Sequence, residues 1–173
     1  MQTLITRLGL EGRLRRENLI RYGIQSGLAT GFLLMLLLIM DVLTQKVLIA
    51  ALGASTFIAF VVPRSANADP RHLIGGYLVG IIAGGPIGLL AHQVHANTAA
   101  GYLDVVAVFG ALATGLAMFL MVATKTEHPP AAALALGLVL NEWDWFTLAL
   151  VVGGVIFLAL FKQFVRPYLM DLQ

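Results

Sequence analysis

Apolar residues fill most of this chain in long runs, and short polar breaks divide the runs into a repeating order. The first run spans Ile24 to Met40 and stops at the polar stretch Asp41 to Lys46. Val47 to Val62 is apolar but thin for a hydrocarbon core that takes about 20 helical residues to cross. Pro63 to Arg71, PRSANADPR, predicts a turn-rich loop. Leu73 to Ala91 is apolar again, His92 to Gly101 predicts a loop, and Tyr102 to Ala123 forms the fourth run. Then come KTEHPP, a short apolar run to Leu140, the acidic turn Asn141-Glu142-Trp143-Asp144, and a last run from Trp145 to Phe161. Runs of this purity predict membrane-spanning helices. Upstream, Leu4, Ile5, Leu8, Leu10, Leu14, Leu19 and Ile20 alternate with Arg7, Arg13, Arg15, Arg16 and Arg21. That mixture predicts an amphipathic interfacial helix over 1–22 on an anionic leaflet, the alternative being a basic tail that sets topology.

The same order occurs twice: long, short-and-interrupted, long. Leu28-Ala29-Thr30-Gly31 of the first run recurs as Leu112-Ala113-Thr114-Gly115 of the fourth, and Gly75-Gly76 has a counterpart in Gly153-Gly154. The expected fold is all-α: a polytopic membrane helix bundle of two inverted three-helix repeats, each with one short or broken helix. Repeat one covers 24–92 and repeat two 101–165, inside one membrane domain over 23–166. Gly76, Gly80, Gly84 and Gly88 recur every fourth residue and make a bare face for close helix packing. Ala107, Ala111 and Gly115 suggest a second such face.

Composition narrows the class. Of 173 residues only 12% are charged, and the mean hydropathy is +0.88, which excludes an ordinary soluble domain. The chain is too short for a membrane bundle plus a second folded domain. With no cysteine, neither a disulfide framework nor a thiolate metal site is available. The N-terminus lacks an apolar core and cleavage site and is expected to be retained. Six crossings with both termini cytoplasmic put Arg64, Arg71, Lys125, Lys162, Arg166 and the N-terminal arginines inside. Lys46, Asp41, Glu142 and Asp144 then fall outside, a strong positive-inside pattern. Treating the two short segments as re-entrant leaves four full spans and keeps most of those assignments.

The chemistry concentrates at KTEHPP. Consecutive Pro129 and Pro130 remove two backbone donors and fix two φ angles, so a helix begins there and cannot run through. His128 stands at or next to the cap. Irregular backbone in a membrane is tolerated only against protein or a water-filled cavity, and paired interrupted helices point to a transport pathway. The two candidate interruptions, Gly53-Ala54-Ser55-Thr56 and His128-Pro129-Pro130, would aim free N–H groups at one central region, an arrangement suited to a small anion. Ser55 and Thr56 either offer hydroxyls to the ion or bond their own helix. His128 either lines the pathway, donating a hydrogen bond or proton to the permeating ion, or caps its helix beside Glu127. Lys125 and Arg71 either draw anions to the inner mouth or anchor topology, Arg71 with Pro70 fixing the chain beside it.

Other chemistries find less. His92 and His95 have no acidic neighbour to complete a metal site, and no metal or cofactor is expected. Trp143 and Trp145 suit interfacial anchoring. No zinc-protease or phosphate-loop motif is present, Gly53-Ala54-Ser55-Thr56-Phe57 fails the serine-hydrolase elbow at its last position, and no nucleotide site supports primary active transport. The arginines imply no specific nucleic-acid binding. A membrane-embedded enzyme would rest on Glu127 and His128 and would need a nucleophile within reach of that imidazole.

His128-Pro129-Pro130-Ala131, Leu52-Gly53-Ala54-Ser55, and Ala68-Asp69-Pro70-Arg71 followed by Ile74-Gly75-Gly76 resemble, in order and spacing, the HPP family of bacterial and plastid integral membrane proteins. The resemblance covers roughly residues 24 to 165. It implies a role in nitrite transport, the family's best-described activity, and a place in a bacterial inner membrane. Ala132 and Leu134 stand where the family usually has glycine and threonine, and Tyr77 where histidine is common. The expected function is thus a transporter or channel for a small inorganic anion, nitrite first, passing between two helix N-termini; the alternatives are another small solute or the enzyme above. A homo-oligomer, a dimer by preference, is expected.

Overall fold

The computed structural model describes residues 16–39, 46–98 and 101–172. Among these it is all helical: α1 (Arg16–Ile39), α2 (Lys46–Val61), α3 (Pro70–Asn97), α4 (Tyr102–Thr124), α5 (Pro129–Leu140) and α6 (Trp145–Val165), with 3-10 turns at Ala66–Ala68 and Arg166–Tyr168. The protein is a polytopic helical bundle. Pro70–Asn97, Tyr102–Thr124 and Trp145–Tyr168 are long and apolar enough to cross a membrane, and Val47–Val61 and Pro129–Leu140 are shorter apolar helices. Their outward residues, Leu103, Phe119 and Phe164 among them, are large and apolar, as a lipid-facing surface requires.

At 1.5 Å per residue α5 is only about 18 Å long, well short of a hydrocarbon core of about 30 Å. It is instead enclosed by protein, with Pro130, Ala131, Leu134, Ala135, Gly137, Leu138 and Val139 buried. Both of its ends are satisfied within the fold, as a helix ending at membrane depth demands. Its prolines delete two donors at the start. At the other end Asn141 Nδ2 donates to the Gly137 carbonyl at 2.8 Å, Trp143 Nε1 to Leu138 at 3.0 Å and the Tyr102 hydroxyl to Leu140 at 3.2 Å. Trp143 thus serves as a cap as well as an anchor. Asp144 begins α6 by accepting from the Thr147 amide at 2.7 Å, a bond that holds its carboxyl below the usual carboxylate range.

The glycine face of α3 is what α5 packs on. A Cβ at Gly76 would lie 2.6 Å from His128 Cβ, at Gly80 2.5 Å from the Ala131 carbonyl oxygen, and at Gly84 2.6 Å from Ala135 Cα; one at Gly88 would strike the Leu138 carbonyl. The two backbones therefore touch, and the four-residue repeat is an internal seam. The second expected face differs. Ala107, Ala111 and Gly115 are exposed, and α4 buries the adjacent stripe of Val106, Gly110, Ala113 and Ala117. Helix pitch separates neighbouring stripes by about 100°, and the stripe turned inward is the one whose Gly110 admits Leu136, 2.7 Å from a Cβ there.

Two other expectations change. His92 and His95 lie in helix, because α3 runs on to Asn97; Pro70 starts it, and no glycine or proline follows Gly88 before its end. The interfacial helix expected over 1–22 lies outside the described residues as far as position 15, and from Arg16 the chain is one unbroken helix to Ile39. That helix is tied in by Phe32, stacked on Phe157 and Phe161 at 5.7 and 6.4 Å. Gln25 holds the end of α2 and the C-terminal tail together, donating to Phe60 at 2.6 Å and Met170 at 3.0 Å.

Gly80→Ala or Gly84→Ala is expected to force the α3–α5 seam apart, destabilising the fold by about 1–3 kcal/mol. Gly153→Ala, with nothing within 4 Å of its Cβ, is expected to leave the melting temperature unchanged or raise it. Thermal unfolding in detergent micelles checks both.

Candidate functional site

Three backbone segments bring the side chains of one buried polar cluster together. The first is α2, whose Ser55 and Thr56 sit mid-helix with their hydroxyls 3.1 and 2.8 Å from the Ala51 and Leu52 carbonyls. The second is α3, which presents Tyr77 one residue past the glycine that meets His128. The third is the extended stretch before α5, where His128 takes the N-cap position with φ −144° and ψ 97°. Its side chain makes no cap bond. Because Gly76 has no side chain, the imidazole lies against α3 and points across to α2.

Ser55 Oγ is 2.8 Å from His128 Nε2 and 2.9 Å from the Tyr77 hydroxyl, and His128 Nδ1 is 3.0 Å from the Asn67 carbonyl oxygen. Ser55 and Tyr77 are 0% exposed and His128 1%. Hydrogen-bond direction settles the tautomer. A carbonyl only accepts, so Nδ1 carries the proton and Nε2 of the neutral ring is the acceptor. Ser55 donates to Nε2, and Tyr77 donates to Ser55. Every polar atom of the cluster then has a partner, which buried polar groups require. At 1.5 Å per residue, Gly76 and Ser55 each lie about 9 Å inside the helix ends nearest them, Pro70 and Val61.

A further shell fixes the turn that carries Asn67. Lys162, fully buried on α6, donates from Nζ to the Ala68 carbonyl at 3.0 Å and lies 3.9 Å from Asp69 Oδ1. Two side chains from two helices thus hold consecutive carbonyls of one 3-10 turn.

The expected site residues fall in three places. Ser55, His128, Pro129 and Pro130 form the cluster and its helix start. Gly53 and Thr56 line a separate groove of about 320 Å³ between α1 and α2, with Gln25, Ser26, Thr30 and Phe57; Ala54 is exposed beside them. Arg71 and Lys125 lie on the surface. Arg71 donates to the Thr124 carbonyl at 3.0 Å, at the end of α4. Lys125 ends that helix in the left-handed region, φ 54°, its amide bonded to Met121 and Val122.

Two expectations are corrected. Gly53-Ala54-Ser55-Thr56 is not a break: α2 is continuous from Lys46 to Val61, since one glycine costs a helix only about 1 kcal/mol and the flanking residues are helix-compatible. Its N-terminus is therefore not at the site, and no pair of helix N-termini converges there. The start of α5 is also poor in donors, because Pro129 and Pro130 have none and the Ala131 amide bonds the His128 carbonyl at 2.8 Å. The cluster's donors are side chains. Glu127, which the enzyme alternative would pair with His128, is exposed and lies 3.5 Å from His72 Nε2.

Residues 13–168 match the HPP transmembrane region family. The chain belongs to that family. Two transmembrane proteins of Dictyostelium discoideum are similar to this HPP protein, one 36% identical over 102 residues and the other 35% over 119. These stretches cover 58% and 66% of this chain, and 33% and 36% of the relatives, so the HPP chain matches about a third of their length. No solved structure matches it. Three residues of the cluster and its supporting turn were not expected from sequence. Asn67 acts through its backbone, which no side-chain motif signals. Tyr77 stood out only as a departure from the family pattern. Lys162 was counted as a topological charge, although a lysine inside a spanning segment is itself a sign of a functional or bridging role.

Ser55→Ala leaves the Tyr77 hydroxyl and His128 Nε2 without their shared partner, and Tyr77→Phe leaves Ser55 still bonded to His128. Ser55→Ala is thus expected to be the costlier change, by about 1–3 kcal/mol per stranded buried group, in a comparison of melting temperatures.

Proposed function

We propose that this HPP protein moves a small inorganic anion, nitrite first, across the membrane at the junction of α2 and α5, with Ser55 and His128 facing the ion. The observation that carries this reading is the 2.8 Å contact between Ser55 and His128. It joins the two short helices, one from each half of the chain, in a buried polar cluster inside an otherwise apolar bundle. Ionisable side chains at such depth are rare and mark substrate pathways.

The halves support an inverted repeat. Each contributes a long, a short and a long helix. When α1–α3 are exchanged with α4–α6, the pairs α2–α5 and α3–α6 map onto themselves, α3–α5 onto α2–α6, and α4–α5 onto α1–α2, and all of these pairs touch. Charge placement supports both termini being cytoplasmic, and the reading keeps the bacterial plasma membrane as its setting. Arg64 beside Asp171, Arg71 beside Thr124 and Lys162 beside Asp69 put the basic residues at one end of the bundle. Glu142 and Asp144 follow the opposite end of α5. The homodimer expected from the sequence remains part of this proposal.

The test is nitrite flux into proteoliposomes, with nitrate, formate and chloride as competitors. Wild type is expected to admit nitrite above the protein-free rate. His128→Ala and Ser55→Ala, each still folded, are expected to lose about tenfold or more, the effect of raising a barrier by roughly 1.4 kcal/mol. No nitrite entry by wild type would sink the substrate assignment.

The same contact supports a second reading, a membrane-embedded hydrolase. A serine hydroxyl bonded to an imidazole whose other nitrogen is held by an acceptor is the geometry of an activated nucleophile. Ser55 is mid-helix and fully buried, with the Ala51 carbonyl of its own helix 3.1 Å away as a competing acceptor, and its neighbour across the site is a tyrosine and no oxyanion donor pair. We expect a fluorophosphonate probe to leave Ser55 unlabelled in the folded protein; specific labelling, lost in His128→Ala, would favour the hydrolase.

A further inference from the structure

Electrostatics make the cluster an incomplete anion site unless a proton comes with the ion. Ser55, Tyr77, His128 and the Asn67 and Ala51 carbonyls are its bonded members, and His128 is the one that can carry a positive charge. The charged neighbours are already committed or at the surface. Lys162 on α6 is held by Ala68 and Asp69, and Arg71 on α3 by the Thr124 carbonyl. His72, also on α3, is paired with Glu127, and Lys125 after α4 is exposed. An anion placed here with a neutral imidazole would be a buried, uncompensated charge, which is strongly unfavourable.

The geometry of Ser55 lets the buried imidazole keep its hydrogen-bond partners when it is charged. With the ring neutral, the Ser55 hydroxyl donates to Nε2. With a proton on Nε2, that N–H donates to Ser55 Oγ, and the hydroxyl turns to the Ala51 carbonyl, 3.1 Å away. Tyr77 donates to Ser55 in both states, and Nδ1 keeps its bond to Asn67. One hydroxyl rotation therefore leaves no polar group unpaired in either charge state. A mid-helix serine with only an apolar partner could not do this.

We propose that this site takes its anion together with one proton, held on His128 Nε2, so that net transport is electroneutral and favours anions able to share a proton, such as nitrite and formate, over chloride and nitrate. The proton comes from the water on the entry side, charges His128 as the anion arrives, and leaves to water on the other side with the anion; no bond other than N–H is made or broken. This rests on the anion-pathway reading of the same site.

The experiment uses proteoliposomes enclosing a pH dye, with the membrane potential clamped and the protein-free rate subtracted. Wild type is expected to acidify the lumen by one proton per nitrite entering, and His128→Gln, which can bond Ser55 but not hold a proton, to lose this by about tenfold. Nitrite entry without acidification, or acidification undiminished in His128→Gln, overturns the proton linkage and leaves the anion pathway standing. Absence of any nitrite entry instead removes the pathway reading, and the proton site is then judged by 15N spectra alone. In a His72→Gln, His92→Gln, His95→Gln background the His128 ring is expected to show the neutral Nδ1–H tautomer in base and the imidazolium on acidification of the folded protein. In Ser55→Ala it is expected to stay neutral over the same range. A ring that never charges before the protein unfolds overturns the proposal whatever the flux.

Discussion

A helix too short to cross the membrane has to be surrounded by something other than lipid, and the backbone contact between α3 and α5 meets that requirement. Four glycines spaced by one turn let the two backbones approach until a single added methyl would collide with them. Without a hydrophobic drive between helices in lipid, dispersion across such a seam is a principal source of cohesion. The seam also sets the chemistry. His128 sits at the top of α5 with its Cβ against Gly76, so the glycine that permits packing also orients the imidazole. Moving α5 by the width of a methyl group would carry Nε2 out of hydrogen-bond range of Ser55.

Around that seam the two ends of α5 and the turn before α3 have their polar groups paired within the protein. α5 starts with two residues that have no N–H and ends under three side-chain donors. The turn of Ala66–Ala68 lies against α2, α3 and α6, and two of its carbonyls are taken by His128 and Lys162. Lys162 is instructive because burying an ammonium is unfavourable unless it is paired and hydrogen-bonded. Its position is explained by the turn it holds, since displacing that turn would also displace the acceptor that fixes the His128 tautomer. The cluster is therefore supported from α2, α3, α5 and α6 together.

Much of this was legible in the chain. The alternation of long and short apolar runs located α2 through α6, and the glycine repeat marked the α3 seam because a spacing of four in a membrane helix has a direct packing meaning. His128 and Ser55 were identifiable because polar residues amid apolar runs are conspicuous. What misled was local pattern without context. Gly53 to Thr56 looks like an interruption, yet back-bonded hydroxyls are compatible with helix and α2 runs straight through. Ala107, Ala111 and Gly115 look like a seam, yet a helix rich in small residues carries several overlapping stripes and tertiary contacts choose among them. The Asn67 carbonyl is invisible in principle, since every residue has one.

The departures from the family pattern gain meaning from where they fall. Leu134, in place of the usual hydroxyl residue, is fully buried in the seam, its side chain 3.6 Å from where a Gly80 Cβ would be. It contributes packing and lies apart from the bonds of the cluster. Tyr77, in place of the common histidine, falls inside it. A phenol can donate to Ser55 as an imidazole N–H would, so the hydrogen-bond chain is preserved. A phenol cannot become a cation, however, and a second imidazole could share or compete for a proton with His128. In the proposed pathway the substitution leaves one imidazole in the cluster to carry a positive charge, and makes Ser55, the partner of its Nε2 in either state, the residue on which that proposal turns.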